Sequence, residues 1–129
     1  MDRIKLPWVL RFGGVWLGLW ALLMWFAPEA AVGSSGWEIT SELGTMMAGF
    51  GMAIAGLAVL HFVGSSLADD AMRRIGFWAA VMWALFQTQQ IYFLATGAFP
   101  VVGGQEIVGN LIGITITVLL FLKSIPAAD

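Results

Sequence analysis

Residues 43–65 read LGTMMAGFGMAIAGLAVLHFVGS, a run without a single Asp, Glu, Lys or Arg. At 1.5 Å rise per residue such a run, as a helix, crosses a hydrocarbon core of about 30 Å. Three further apolar runs flank it, at about 8–27, 75–96 and 107–122. Each is long enough to span in the same way. Together they predict an all-α protein, a single integral membrane domain built as a bundle of four transmembrane helices.

The composition agrees. Of 129 residues, 60% are hydrophobic and 11% charged, and the mean hydropathy is +0.88. So few charges do not cover the surface of a soluble domain of this size. The four prolines fall at the edges of the spans: Pro7 in the first turn of the first, Pro28 after its end, Pro100 after the third and Pro126 after the fourth. A proline is tolerated at a helix start and ends a helix elsewhere, so these positions support the boundaries.

Orientation follows from the charges. All six basic residues (Arg3, Lys5, Arg11, Arg73, Arg74 and Lys123) lie at the N-terminus, between the second and third spans, or at the C-terminal end. The other two connections hold Glu29, Glu38, Glu42 and Glu106 instead. The positive-inside rule therefore places both termini in the cytoplasm. Trp8, Trp25, Trp37, Trp78 and Tyr92 stand where an interfacial aromatic belt is expected. A competing reading takes the first segment as a cleaved signal peptide; its length and its bulky Trp16, Trp20 and Trp25 argue against a short signal core.

The sequence carries a faint repeat. RFGGVWLGLWAL (11–22) aligns without gaps on RIGFWAAVMWAL (74–85), as two related helical hairpins would. The second and fourth spans do not match at the same offset. Small residues recur at helical spacing: Gly14 and Gly18 in the first span, Gly44, Ala48, Gly51 and Ala55 in the second, Gly109, Gly113 and Thr117 in the fourth. Between helices in lipid, such stripes permit close backbone approach, in a compact bundle, in a homo-oligomer or against a larger membrane complex.

The third span holds an amide run, Gln-Thr-Gln-Gln at 87–90. Amides in hydrocarbon are costly unless hydrogen-bonded. Trp83, Gln87 and Gln90 share one helix face, and Gln90 lies about 22 Å above the cytoplasmic edge, near the depth of Asn110. A polar layer of Gln87, Gln90 and Asn110 in the outer half is the expectation, either as interhelical glue or as a solute site. Trp16, Trp20 and Trp83 lie deeper than a belt reaches. They either fill volume or line a slot for a flat apolar ligand such as a quinone or isoprenoid. His61, the only histidine, falls near the cytoplasmic headgroups, about 15 Å in depth from Gln90. It is read as a hydrogen-bonded neutral imidazole or, less simply, as an axial ligand to haem.

Some classes are disfavoured. No basic cluster is long enough to grip nucleic acid, and without cysteine there is no thiolate chemistry. No carboxylate sits mid-span, as proton-coupled transport usually requires. A single histidine is too few for a metal centre and no nucleophile–base pair exists, so an enzyme acting alone is not expected.

GTMMAGFGMAIAGL (44–57), the turn at 69–74 and the segment 78–97 together resemble the DoxX-like group of small bacterial membrane proteins. Under half of the chain is covered, and the amide run departs from that pattern. The resemblance implies a four-helix protein of the bacterial inner (plasma) membrane. Some members of the group are subunits of quinone-linked membrane oxidoreductases. It therefore favours an accessory subunit or scaffold, or a protein adjacent to quinone, and assigns no functional residue.

Overall fold

A computed structural model describes residues 4–32, 37–98 and 104–125, the side chains of 105 and 106 excepted. The described residues form helices only: α1 (Leu6–Phe26), α2 (Pro28–Val32), α3 (Ser41–Gly64), α4 (Asp69–Thr96) and α5 (Gly104–Ser124). Arg3, Pro100, Pro126 and the side chain of Glu106 lie outside the described residues. Three helices are long and apolar enough to cross a membrane: α1, α3 and Ile107–Ser124 of α5. The longest, α4, is not among them. Its first two turns carry Asp69, Asp70, Arg73 and Arg74, and its C-terminal half carries three glutamines.

The helix ends follow from local chemistry. Pro7 sits in the first turn of α1, and the hydroxyl of Thr40 accepts the Leu43 N–H at 3.2 Å to start α3. Asp69 and Asp70 favour the positive N-terminal pole of α4, which is why that helix reaches back beyond the apolar run. Gly97 takes φ 69 and ends it, while Ala98 N–H donates to Phe93 O at 3.0 Å. Pro28 does more than stop α1: it opens the short α2, whose five residues are too few to show a period.

The long helices alternate in direction. Arg11 at the start of α1 donates to Ser65 at the end of α3 (3.3 Å), and Trp25 at the end of α1 donates to the Ala48 carbonyl near the start of α3 (2.9 Å). Gly64 meets Ile75, Gly76 meets Ser124, and Gly113 meets Gln87, which fixes the remaining antiparallel neighbours. Lys5, Arg11, Arg73, Arg74 and Lys123 therefore gather at one end, the basic end, and Glu29, Glu38 and Glu42 at the other, the acidic end.

The closest pairings are α1 with α3 and α4 with α5, two hairpins that the repeat already hinted at. Helices α1 and α3 begin at Leu6 and Ser41, α4 and α5 at Asp69 and Gly104, each pair sixty-three residues apart. The contact of Gly13 with His61 reappears, shifted by that offset, as the contact of Gly76 with Ser124. In both hairpins the side chain so placed bonds the carbonyl four residues earlier, His61 to Leu57 at 2.8 Å and Ser124 to Leu120 at 2.6 Å. The second and fourth spans thus correspond in geometry where their sequences do not.

Small residues act at fewer places than their spacing suggests. Gly14 packs against Ala58 O and His61 Cβ, each 3.2 Å from where its Cβ would stand. Gly51 receives the edge of Trp25. Gly18, Gly49 and Gly56 face open space, so the expected Gly14–Gly18 pair is an adjacent Gly13–Gly14 pair instead. Leu10, Ile116 and Leu120 form the fully buried centre. The outside is apolar, with Phe26 79% and Leu85 69% exposed, which suits lipid better than water.

Candidate functional site

Packing is uneven along the helices. Toward the acidic end the four long helices and α2 surround a partly open cavity of about 380 Å³, within the usual range for small-molecule sites. Trp16, Trp20 and Met24 of α1, Met47, Phe50 and Ile54 of α3, and Trp83, Phe86 and Phe93 of α4 make its apolar walls. Ala31 and Val32 of α2, with Trp37 after it, close part of its rim. Trp16 and Trp20 meet edge to face, their rings 6.4 Å apart at 77°.

Gln87, Gln90 and Asn110 all line this cavity, and Trp20 and Trp83 line it with them. The structure thus brings these five residues to one place. Gln87 is only 7% exposed. Its amide lies over Gly113, in the space that any larger residue there would fill. Gly113 therefore seats a side chain and is no point of backbone contact. The carbonyl oxygen of that amide, Oε1, is buried without a hydrogen-bond partner. Gln90 and Asn110 are half-buried, and Gln89 points away from the cavity and is exposed.

His61 stands in the last turn of α3, the height expected along that helix, and faces the bundle interior. It is 3% exposed, enclosed by Gly13 and Gly14 of α1 and by Trp83. Its Nδ1 lies 2.8 Å from Leu57 O, so that nitrogen carries the proton and Nε2 is the acceptor. The Trp83 indole N–H donates to Nε2 at 3.0 Å. Both ring nitrogens thus have protein partners, and an axial ligand role would require Trp83 to move away. One residue, Trp83, links His61 to the cavity that holds the amides. Side chains on a helix lean toward its N-terminus, and that lean carries the Trp83 indole from the cavity wall down to the imidazole.

No family model matches this chain, and no curated protein or solved structure is similar to it. The site is therefore read from its own chemistry.

Sequence reasoning missed Trp37 and α2 as parts of the rim, because residues in connections have no helical register to place them, and it missed Phe93 in the wall although α4 gives it one. It also missed the Trp83–His61 bond. The available signal was the N-terminal lean of an indole on one helix facing the sole histidine of its antiparallel neighbour. Trp25, expected in the belt, is half-buried, with its indole bonded to Ala48 O. Trp8, Trp78 and Tyr92 are exposed on the outside.

What the cavity can do is bind. It offers flat aromatic walls, a short polar strip on one side and, at Gln87 Oε1, a buried acceptor in need of a donor.

Proposed function

We propose that this chain is a four-span protein of the bacterial inner membrane, both termini in the cytoplasm, that binds a small, mostly apolar molecule in the outer half of the bundle. The aromatic cavity at the acidic end carries the reading. A packed protein interior has few voids larger than a water molecule, so a space of this size among four helices calls for an occupant. Inclusion of α4 as a span is supported by its antiparallel place between α3 and α5. Gln87 and Gln90, which depress its hydropathy, are turned to the cavity rather than to lipid. Gln89 does face outward, about 10 Å from the helix end at Thr96.

Purification from native membranes in mild detergent, followed by extraction and mass spectrometry, tests this reading. An apolar molecule should accompany the wild-type chain in near-equal amount and be lost from Trp20→Ala. Recovery of an empty, stable protein that takes up no apolar probe would end it.

A second reading is an accessory subunit or scaffold that packs with itself or a larger complex, as the resemblance to DoxX-like proteins would suggest. It rests on the outer face of α3, where Ala48, Gly49, Met52, Ala53 and Gly56 are exposed and Gly49 and Gly56 meet no atom of their own chain. Small residues on a lipid-facing surface favour close helix contact. A Gly49→Ile, Gly56→Ile double variant should then lose its partner on native electrophoresis, and a wild-type chain that runs alone as a monomer would discard this reading. The two readings are compatible, since the face and the cavity use different sides of α3.

A further inference from the structure

We infer that the molecule held in the cavity presents a hydroxyl to Gln87 Oε1, so the ligand class is an apolar alcohol or phenol rather than a plain hydrocarbon, ether or ketone. This rests on the cavity reading above and specifies its chemistry.

The argument begins with the amide. Gln87 stands at the boundary between the filled and the open parts of the bundle, one helical turn beyond Trp83. It is more than nine-tenths buried, and it lines the cavity. Its carbonyl oxygen accepts from no protein group. A buried carbonyl left without a donor costs on the order of a full desolvation penalty, so nearly all such groups in folded proteins are satisfied. Gly113 backs the amide on one side and the side chain borders the cavity, so a donor in the cavity reaches this oxygen with a small turn of the side chain.

Position in the repeat sharpens the point. The residue sixty-three earlier in the first hairpin is Met24, which lines the same cavity with an apolar side chain. The fold thus accommodates a thioether at the equivalent place, and packing alone does not demand an amide at position 87. Everything else near the amide is suited to an apolar body: Trp20, Trp83 and Phe86 offer ring faces and edges, and Gln90 and Asn110 add a polar strip beside it. A molecule with an O–H on an apolar frame meets both demands, since the hydroxyl donates to Oε1 and the frame lies against the rings. An ether or a ketone carries acceptors only and leaves the oxygen unsatisfied.

The test uses the full chain in detergent or nanodiscs, with matched probes read by quenching of tryptophan fluorescence. Para-hexylphenol should bind about tenfold more tightly than para-hexylanisole and para-hexylacetophenone, the ratio that one satisfied buried hydrogen bond supports. In Gln87→Met that preference should vanish, with affinity for the anisole retained, which shows that the variant is folded and its cavity intact. Decanol compared with decyl methyl ether asks whether an aliphatic alcohol is preferred as well. A preference there widens the class to alcohols, and its absence restricts it to phenols. Equal binding of phenol and anisole by the wild type overturns the inference, with water then satisfying Oε1, and leaves the cavity reading standing. Acetophenone binding as tightly as the phenol overturns it too, because the amide must then be turned to donate. If none of the probes binds, the cavity reading fails and this inference with it.

Discussion

At the basic end, Gly13 and Gly14 take in the imidazole of His61, and Gly76 takes in Ser124 and Leu6. At the acidic end, Trp16, Trp20, Phe50 and Phe86 stand around about 380 Å³ of space. The same helices run through both halves, so the difference lies in residue size and not in architecture. Where one helix offers glycine, its neighbour closes in and buries polar groups with their partners. Where three of them offer aromatic rings, the helices are held apart and a polar group is left without one. The first half holds the pairs together; the second leaves a cavity between them.

Substitutions that ignore this division should expose it, and the largest effect belongs to the filled half. Leu10 has no exposed surface, and Leu10→Ala should cost about 3 kcal/mol, whereas Phe50→Ala, at the cavity wall and 48% exposed, should cost less than about 1 kcal/mol. Equal losses in detergent-titrated unfolding would mean that the two halves are packed alike. Next, Gly14→Leu should cost about 2–3 kcal/mol in the same assay, because its Cβ would meet the Ala58 backbone carbonyl, which cannot swing aside. A harmless substitution would show that α1 and α3 are further apart than described. His61→Leu should cost about 1–2 kcal/mol by stranding the Trp83 N–H, and His61→Gln, which keeps an acceptor, should recover part of it. The smallest effect has the opposite sign. Gln87→Leu should raise stability by about 1 kcal/mol in the ligand-free protein, since it removes an unsatisfied buried oxygen. A clear loss on that change would mark the amide as structural glue.

The long apolar runs were legible because membrane-crossing length and helix rise leave little freedom in reading them. The runs at 8–27, 43–65 and 107–122 became helices fit to span. The third run is the instructive one: its amides lower its hydropathy, and two of the three line the cavity. Gln87, Gln90, Asn110 and Trp83 were brought together by helical phase and depth, since both survive small errors in helix ends. Gly18 failed as a contact because spacing gives the face of one helix but not where its neighbour crosses. The link from Trp83 to His61 was hidden for a related reason: depths counted along Cα positions neglect the several ångströms by which an indole leans. The repeat was undervalued because two of its four helices share geometry without sharing residues, and only paired contacts, Gly13 with His61 and Gly76 with Ser124, display that.

Trp83 turns its ring to the cavity and its N–H to His61. An indole proton held by an imidazole nitrogen resonates apart from those donated to carbonyls or left in lipid, and His61→Leu would assign the signal by abolishing it. The chain thereby contains its own magnetic resonance probe. One peak would report an occupant entering the cavity, and its line shape the lifetime of that occupant, with no label attached.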